Sequence, residues 1–244
     1  MKENKYDDDA FFEKYSGMER SKSGLDGAGE WRTLRTLLPD FSGKRVLDLG
    51  CGFGWHCRYA LENGAASVTG VDISNKMLAR AKELTPSGRV SYVCVPIEDV
   101  QYAPESFDVI ISSLTFHYLS SFEPVCRKAY HWLAKGGSFV FSVEHPVFTA
   151  YGSQDWIYGE QGEIDHWPVD RYFEEGMREA VFLGERVVKY HRTLTSYLGD
   201  LIMAGFSLED VVEPKPDDTK LKSVPGMANE LRRPMMLIVS AVKG

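Results

Sequence analysis

The 244-residue sequence predicts an α/β fold built on a doubly wound, mostly parallel seven-stranded sheet. From Arg45 onward, short apolar segments alternate with segments of helical length, the pattern of right-handed β–α–β units. Runs such as Val109-Ile110-Ile111 are apolar without alternation, as in strands covered on both faces. The segment Val46-Leu47-Asp48-Leu49 leads straight into Gly50-Cys51-Gly52-Phe53-Gly54 and then into a helical stretch.

Taken in order, Phe11, Phe12, Tyr15 and Met18 recur at helical spacing and suit a short amphipathic helix. Lys22 to Gly29, with three glycines, reads as a flexible connector, and Trp31 to Leu38 as a helix closed by Pro39. Strands are expected at Arg45–Leu49, Ser67–Val71, Val90–Val95, Phe107–Ser112, Ser138–Glu144, Phe206–Val212 and Met235–Val242. Helices are expected at Trp55–Asn63, Asn75–Leu84, Ser121–Ala134 and Thr193–Ala204. Ser74 suits an N-cap; Gly64 and Gly205 suit C-caps; Pro86 and the pair Gly136-Gly137 stop their helices. Between His145 and Arg192 the regular alternation ends in a segment rich in aromatics and carboxylates. Within it, Glu179–Leu183 and Arg186–His191, joined at Gly184-Glu185, read as a hairpin. Glu213 to Pro234 holds four prolines and is expected at the surface.

Lys plus Arg number 28 against 35 Asp plus Glu, a net charge of −7. That balance argues against the clustered cations that nucleic-acid binding needs. Met1 to Ala10 contains Asp7, Asp8 and Asp9 and no apolar signal region, and the longest apolar stretch, Met235 to Val239, is too short to span a bilayer. Cys51, Cys57, Cys94 and Cys126 form no C-x-x-C pair and read as reduced thiols of a cytoplasmic protein. The six histidines lack H-x-x-x-H or H-E-x-x-H spacing, so no metal is expected.

The turn at Gly50–Gly54 carries the clearest chemistry. Glycines let a ligand approach the backbone, and the helix that follows offers free N–H donors. Asp72, 22 positions after Gly50, is placed to bind ribose hydroxyls. A dinucleotide and S-adenosylmethionine both fit this logic. G-x-G-x-x-G would need glycine where Trp55 stands. Asp48 would also repel a pyrophosphate, by about 3 kcal/mol at ~5 Å and an effective dielectric of ~20, yet favour a methionine ammonium.

These residues resemble the class I S-adenosylmethionine-dependent methyltransferases, in their small-molecule, ubiquinone/menaquinone-methyltransferase-like branch. The resemblance rests on VLDLGCGFG (46–54), GVDIS (70–74), Lys76 to Ala81, SFDVIIS (106–112) and LAKGGSFVFS (133–142). It covers Arg45 to Glu144 well and Thr193 to Lys243 more weakly. It implies a single Rossmann-like methyltransferase domain: an N-terminal helical lid (1–30), a cofactor-binding core (31–144), an acceptor-pocket insertion (145–192), and a C-terminal helix and strands (193–244). It also implies that Asp48, Gly50, Cys51 and Gly52 wrap the methionine end of S-adenosylmethionine. Asp72 would take the ribose diol beside Ile73 and Met77, while Ile97 and Glu98 frame the adenine. Leu114 and His117 would lie near the transferred methyl, with Tyr15 and Arg20 as lid contacts. Pro96 stands where many relatives carry an adenine-binding acid.

The expected partner is a small-molecule acceptor bound by a monomer or homodimer, with S-adenosylhomocysteine as product. His117, His145 and His191 are the candidate bases, because ligands of open α/β sheets bind at the carboxyl ends of the strands. The aromatics between Phe148 and Tyr190 are expected either to line the acceptor pocket or to form a satellite core. An NAD-type oxidoreductase, a non-catalytic cofactor-binding module and an RNA methyltransferase are the competing readings.

Overall fold

The computed structural model describes residues 4–244. Among them, seven strands form one sheet: β1 (Arg45–Leu49), β2 (Ser67–Asp72), β3 (Val90–Cys94), β4 (Phe107–Ser113), β5 (Leu133–Glu144), β10 (Phe206–Val212) and β11 (Met236–Lys243). Their order is β10-β11-β5-β4-β1-β2-β3. β1 to β5 run parallel, and β11 pairs antiparallel with both β5 and β10. The strand order reverses between β1 and β4, which opens a crevice at their carboxyl ends.

Alternate side chains of the central strands pack to opposite sides. Val46, Val68, Val109 and Ile111 join Phe41, Cys57, Ala60 and Leu78, from α4 (Trp55–Glu62), α5 (Asn75–Leu84) and the chain before β1. Leu47, Leu49, Val71, Ile110, Phe139 and Phe141 join Cys126, Trp132, Tyr197 and Leu201, from α6 (Glu123–Trp132) and α8 (Leu194–Ala204). This two-sided burial accounts for the unbroken apolar runs.

Two expectations need correction. Lys22–Gly29 is ordered, not a flexible connector. It comprises the end of α2 (Glu19–Lys22) and a 3₁₀ turn (Gly24–Gly27), and Gly27 lies so close to the Glu19 backbone that a Cβ would have no room. Helix α6 stops at Trp132, and the chain enters β5 at Leu133 rather than Ser138. Leu133 pairs with Phe107 and Ser138 with Val109, so a bulge around Gly136, with φ +74°, absorbs the extra residues. The proline-rich segment, expected at the surface, has no buried residue in either of its elements, α9 (Asp218–Ser223) and a 3₁₀ turn (Met227–Arg232).

The insertion contains α7 (Pro146–Thr149), the short strands β6 (Ile157–Tyr158) and β7 (Ile164–His166), and the hairpin β8 (Gly176–Phe182)–β9 (Glu185–His191). The hairpin turn is Leu183-Gly184, one residue earlier than the sequence suggested, since Phe182 pairs with Glu185. Both turn residues have positive φ, 55° and 78°, as the primed two-residue turns require.

The N-terminal segment packs across the carboxyl ends of the strands. It contains a 3₁₀ turn (Lys5–Asp7) and α1 (Asp9–Ser16), before α2 and α3 (Trp31–Leu37). Of the expected lid, residues 1–3 lie outside the described residues.

Candidate active site

The glycine turn leaves β1 and doubles back beneath β2, where Gly50 and Cys51 N–H both donate to Val71 O. Gly50 has φ +77°, and any Cβ there would collide with Thr115. Gly50 therefore lets the β4 end pack against the turn. Gly52 differs: its φ is +52° and nothing lies within 4 Å of a Cβ position. The turn presents bare backbone to open space there, a cradle a side chain would fill.

Asp72, at the end of β2, accepts Gly52 N–H at 2.8 Å and Ser74 N–H at 2.9 Å, one on each carboxylate oxygen. Each oxygen keeps a second lone pair for a hydroxyl. Burial raises its pKa, against the lowering effect of those backbone N–H groups. Ile73 is half-buried beside it, and Met77 is buried in the first turn of α5.

Asp48 lies under the turn and is 1% exposed. One carboxylate oxygen accepts the Cys57 thiol at 3.3 Å and the other has no partner. Burial pushes its pKa up to about 7. Cys51 is buried close by, with its thiol pushed up to about 11 by the same cause. Leu114 follows β4 with φ +52°, uncommon for a residue with a side chain, and its N–H donates to Ser142 O at 2.9 Å. Ile97 belongs to the main core. Glu98 is half-buried and lines a separate ~260 Å³ cavity with Ser120, Ser121 and Lys128. A cavity of ~730 Å³ lies between α1, α2, α4 and α5, beside the crevice, and Asp48 and Asp72 do not line it.

The N-terminal segment packs against the glycine turn and the start of α5. Asp7 accepts from Ser74 Oγ at 2.6 Å and from Lys76 N–H at 3.1 Å, at the N-terminus of α5. Tyr15 rests edge-on against Phe53 of the glycine turn, and Arg20 Nη2 reaches Glu30 Oε1 at 3.4 Å. Tyr6 Oη lies 3.3 Å from Tyr118 Oη, and Phe11 packs on Ala180 and Val187 of the hairpin.

Past β4 and β5 sits a polar cluster whose makeup local sequence signals did not reveal. Lys189, 3% exposed, donates to Glu144 Oε1 at 2.6 Å and Gln154 Oε1 at 2.7 Å, and Gln154 donates to Glu144 Oε2 at 2.5 Å. Lys189 Nζ also lies 5.9 Å from the Tyr118 ring and 5.5 Å from the Phe182 ring. Attraction from His117 and Lys189 holds the Glu144 pKa down in spite of burial.

Of the three histidines, His117 alone joins this cluster. It is 2% exposed, and burial lowers its pKa to about 4. Nδ1 accepts Glu144 N–H at 3.3 Å, which leaves the proton of the neutral ring on Nε2, 4.0 Å from Glu144 Oε1. His145 caps α7, its Nδ1 accepting Val147 N–H at 3.0 Å while Nε2 faces Glu213 at 2.8 Å. His191 is fully buried, its ring nitrogens held at 2.8 Å from Thr149 Oγ1 and from Tyr172 O. The insertion aromatics divide as well. Phe148 and Trp167 stack and, with Trp156, enclose the Arg233 guanidinium in a satellite core, whereas Phe182 reaches the polar cluster.

The residues present suit a bound S-adenosylmethionine: the open cradle at Gly52, spare acceptor capacity on Asp72, and buried carboxylate oxygens without partners on Asp48 and Glu30. Residues 47–141 match the methyltransferase domain family. An S-adenosylmethionine-dependent methyltransferase of Listeria monocytogenes superposes with a TM-score of 0.86 at 54% identity, over 91% of this chain and 99% of that one. Another from Mesorhizobium loti superposes with a TM-score of 0.84 at 44% identity, over 90% and 100%. A ubiquinone biosynthesis O-methyltransferase of Neisseria meningitidis is 29% identical over 157 residues, 58% of this chain and 65% of that one. The crevice, the cradle and these likenesses agree, and the chain belongs to the S-adenosylmethionine-dependent methyltransferases.

Proposed function

We propose that this methyltransferase acts on a small organic acceptor held between the lid, the carboxyl ends of β4 and β5, and the β8–β9 hairpin. The observation that carries this reading is the enclosed cluster of Tyr6, His117, Tyr118, Glu144, Gln154 and Lys189 beside the cofactor crevice. A buried ion pair under a lid suits a compact polar molecule better than a polymer. The net charge of −7 also disfavours a nucleic acid.

When bound, S-adenosylmethionine supplies the electrophilic methyl group on its sulfonium. Asp72 would hold the ribose diol beside Ile73 and Met77. Gly50, Cys51 and Gly52 would shape the methionine end, with the negative potential of Asp48 beneath, and Leu114 would face the reacting centre. Ile97 and Glu98 are the adenine-side candidates, and Tyr15 and Arg20 close the crevice from the lid. The chain contributes chiefly by holding two reactants in line and excluding water, effects that together reach ~7–11 kcal/mol.

His145 and His191 act as scaffold, since their ring nitrogens already serve the fold. His117 is a positioning residue. With its ring proton set on Nε2 by the Glu144 backbone, it steadies Glu144 and Tyr118 instead of removing a proton. His117→Asn should therefore lower kcat/KM without changing the shape of the pH profile. Loss of an acid limb near pH 4 in that variant would make His117 the base after all.

Four free thiols, three of them buried, support a reducing cytoplasmic setting, where the protein works as a monomer or homodimer. Among the described residues, no helix is long and apolar enough to cross a membrane. The direct test is a screen of small acceptors that reads out S-adenosylhomocysteine. Turnover with a hydroxylated, amino or carbanion-forming small molecule supports the reading; turnover with RNA or protein alone overturns it.

A further inference from the structure

We infer that Glu30 and Arg20 form a clamp for the α-amino-acid end of the cofactor, the ammonium going to Glu30 Oε2 and the carboxylate to Arg20. The inference rests on the crevice being the cofactor site.

Glu30 is 1% exposed, at the end of the segment that joins the lid to α3. Its Oε1 accepts Ser113 Oγ at 3.0 Å and faces Arg20 Nη2 at 3.4 Å. Its Oε2 is buried and has no partner among the described residues. A buried carboxylate oxygen without a donor is unfavourable unless a ligand supplies one. The ion pair with Arg20 is a single long contact, not the two parallel bonds of a bidentate pair, so the guanidinium keeps donors for a second anion.

The position is the right one. Ser113 ends β4 at the reversal of strand order. Two residues on, Thr115 packs against Gly50, its Oγ1 donating to Ser113 O at 3.1 Å and lying 3.4 Å from Gly50 O. A zwitterion needs one cation and one anion side by side, and this pair offers that arrangement within the crevice. Asp48 meets the requirement less well, because it is turned beneath the turn against Cys57 of α4.

The test compares S-adenosylhomocysteine with its deamino analogue, S-adenosyl-4-thiobutyrate, which keeps the carboxylate and lacks the ammonium. Binding is measured by calorimetry. The wild-type protein should prefer S-adenosylhomocysteine by about tenfold or more, the range for a charge-assisted hydrogen bond. Glu30→Gln should weaken S-adenosylhomocysteine by about the same factor and leave the analogue within about threefold, so the preference disappears. Arg20→Met should weaken both ligands alike, since both carry the carboxylate. Glu30→Asp keeps the charge but withdraws the oxygen, and should lose part of the preference in a protein whose melting temperature is close to wild type. A preference retained in Glu30→Gln and Glu30→Asp, or an equal loss of both ligands on changing Glu30, overturns the clamp. Failure of wild-type protein to bind S-adenosylhomocysteine at all would instead remove the cofactor site on which the clamp rests.

Discussion

Lys189 and Glu144 show how much can turn on one pair of residues. Their ion pair is nearly solvent-free and is completed by Gln154. Removing one partner strands the other's charge, which costs about 3–5 kcal/mol, whereas removing both costs much less. Lys189→Met should destabilise the protein by about that amount in urea unfolding, and Lys189→Met with Glu144→Gln should recover much of the loss. Equal destabilisation by the single and double variants would show that the pair is not coupled. Asp48 gives a pH signature. Its folded pKa of about 7 is raised above the ordinary carboxylate value of 3.8, so the folded state holds the proton more tightly than the unfolded chain. The stabilising contribution is full below about pH 4 and is lost as the pH rises through about 7. Asp48→Asn mimics the protonated form. In cofactor-free protein it should match wild type near pH 4 and exceed it by about 2–4 kcal/mol at pH 8. A difference that does not grow with pH would contradict the burial of that carboxylate.

At the scale of elements, the lid and α5 share a cap. Ser74 Oγ accepts Met77 N–H, and Asp7 from the lid accepts Ser74 Oγ and Lys76 N–H. The carboxylate also sits at the positive end of the helix dipole, and these bonds hold its pKa down in spite of partial burial. Asp7→Ala should lower stability by about 0.5–2 kcal/mol. It should also speed S-adenosylhomocysteine dissociation in stopped-flow displacement, since the segment that closes the crevice loses its anchor. Unchanged dissociation would mean that the lid is held by its aromatic contacts alone. The same segment reaches the insertion through Lys14–Glu185 and through Phe11 on the hairpin, so one element touches both the glycine-turn crevice and the β8–β9 hairpin. The elements themselves were largely legible: β1, α5 and β10 lie where apolar pattern and caps put them. The start of β5 was not, because Leu133 to Gly137 reads as a helix end until β4 is there to pair with it.

Across the whole molecule, ligand binding and stability are linked. S-adenosylhomocysteine at 100 times its Kd adds ~2.7 kcal/mol to the folded state. In a chain of this size that should raise the melting temperature by about 5–10 °C. It should also slow tryptic cleavage after Lys14, Arg20 and Lys22, all in the lid segment. Protection confined to the sheet, with the lid cut as fast as before, would separate the lid from the cofactor site.

The sequence by itself determined the α/β class, the glycine turn, Asp72 and the cofactor family. Each is written in short-range pattern: strand–turn–helix spacing, a missing Cβ, an acid at the end of the next strand. Only the tertiary structure decided which polar residues meet. Glu30 lies 83 residues from Ser113 and Lys189 lies 45 from Glu144, and no local periodicity encodes such pairings. It also set the ring nitrogens of His145 and His191 against Val147, Glu213, Thr149 and Tyr172. Whether a ring nitrogen is free depends on what packs against it, and a distant carboxylate, hydroxyl or carbonyl had already taken those positions.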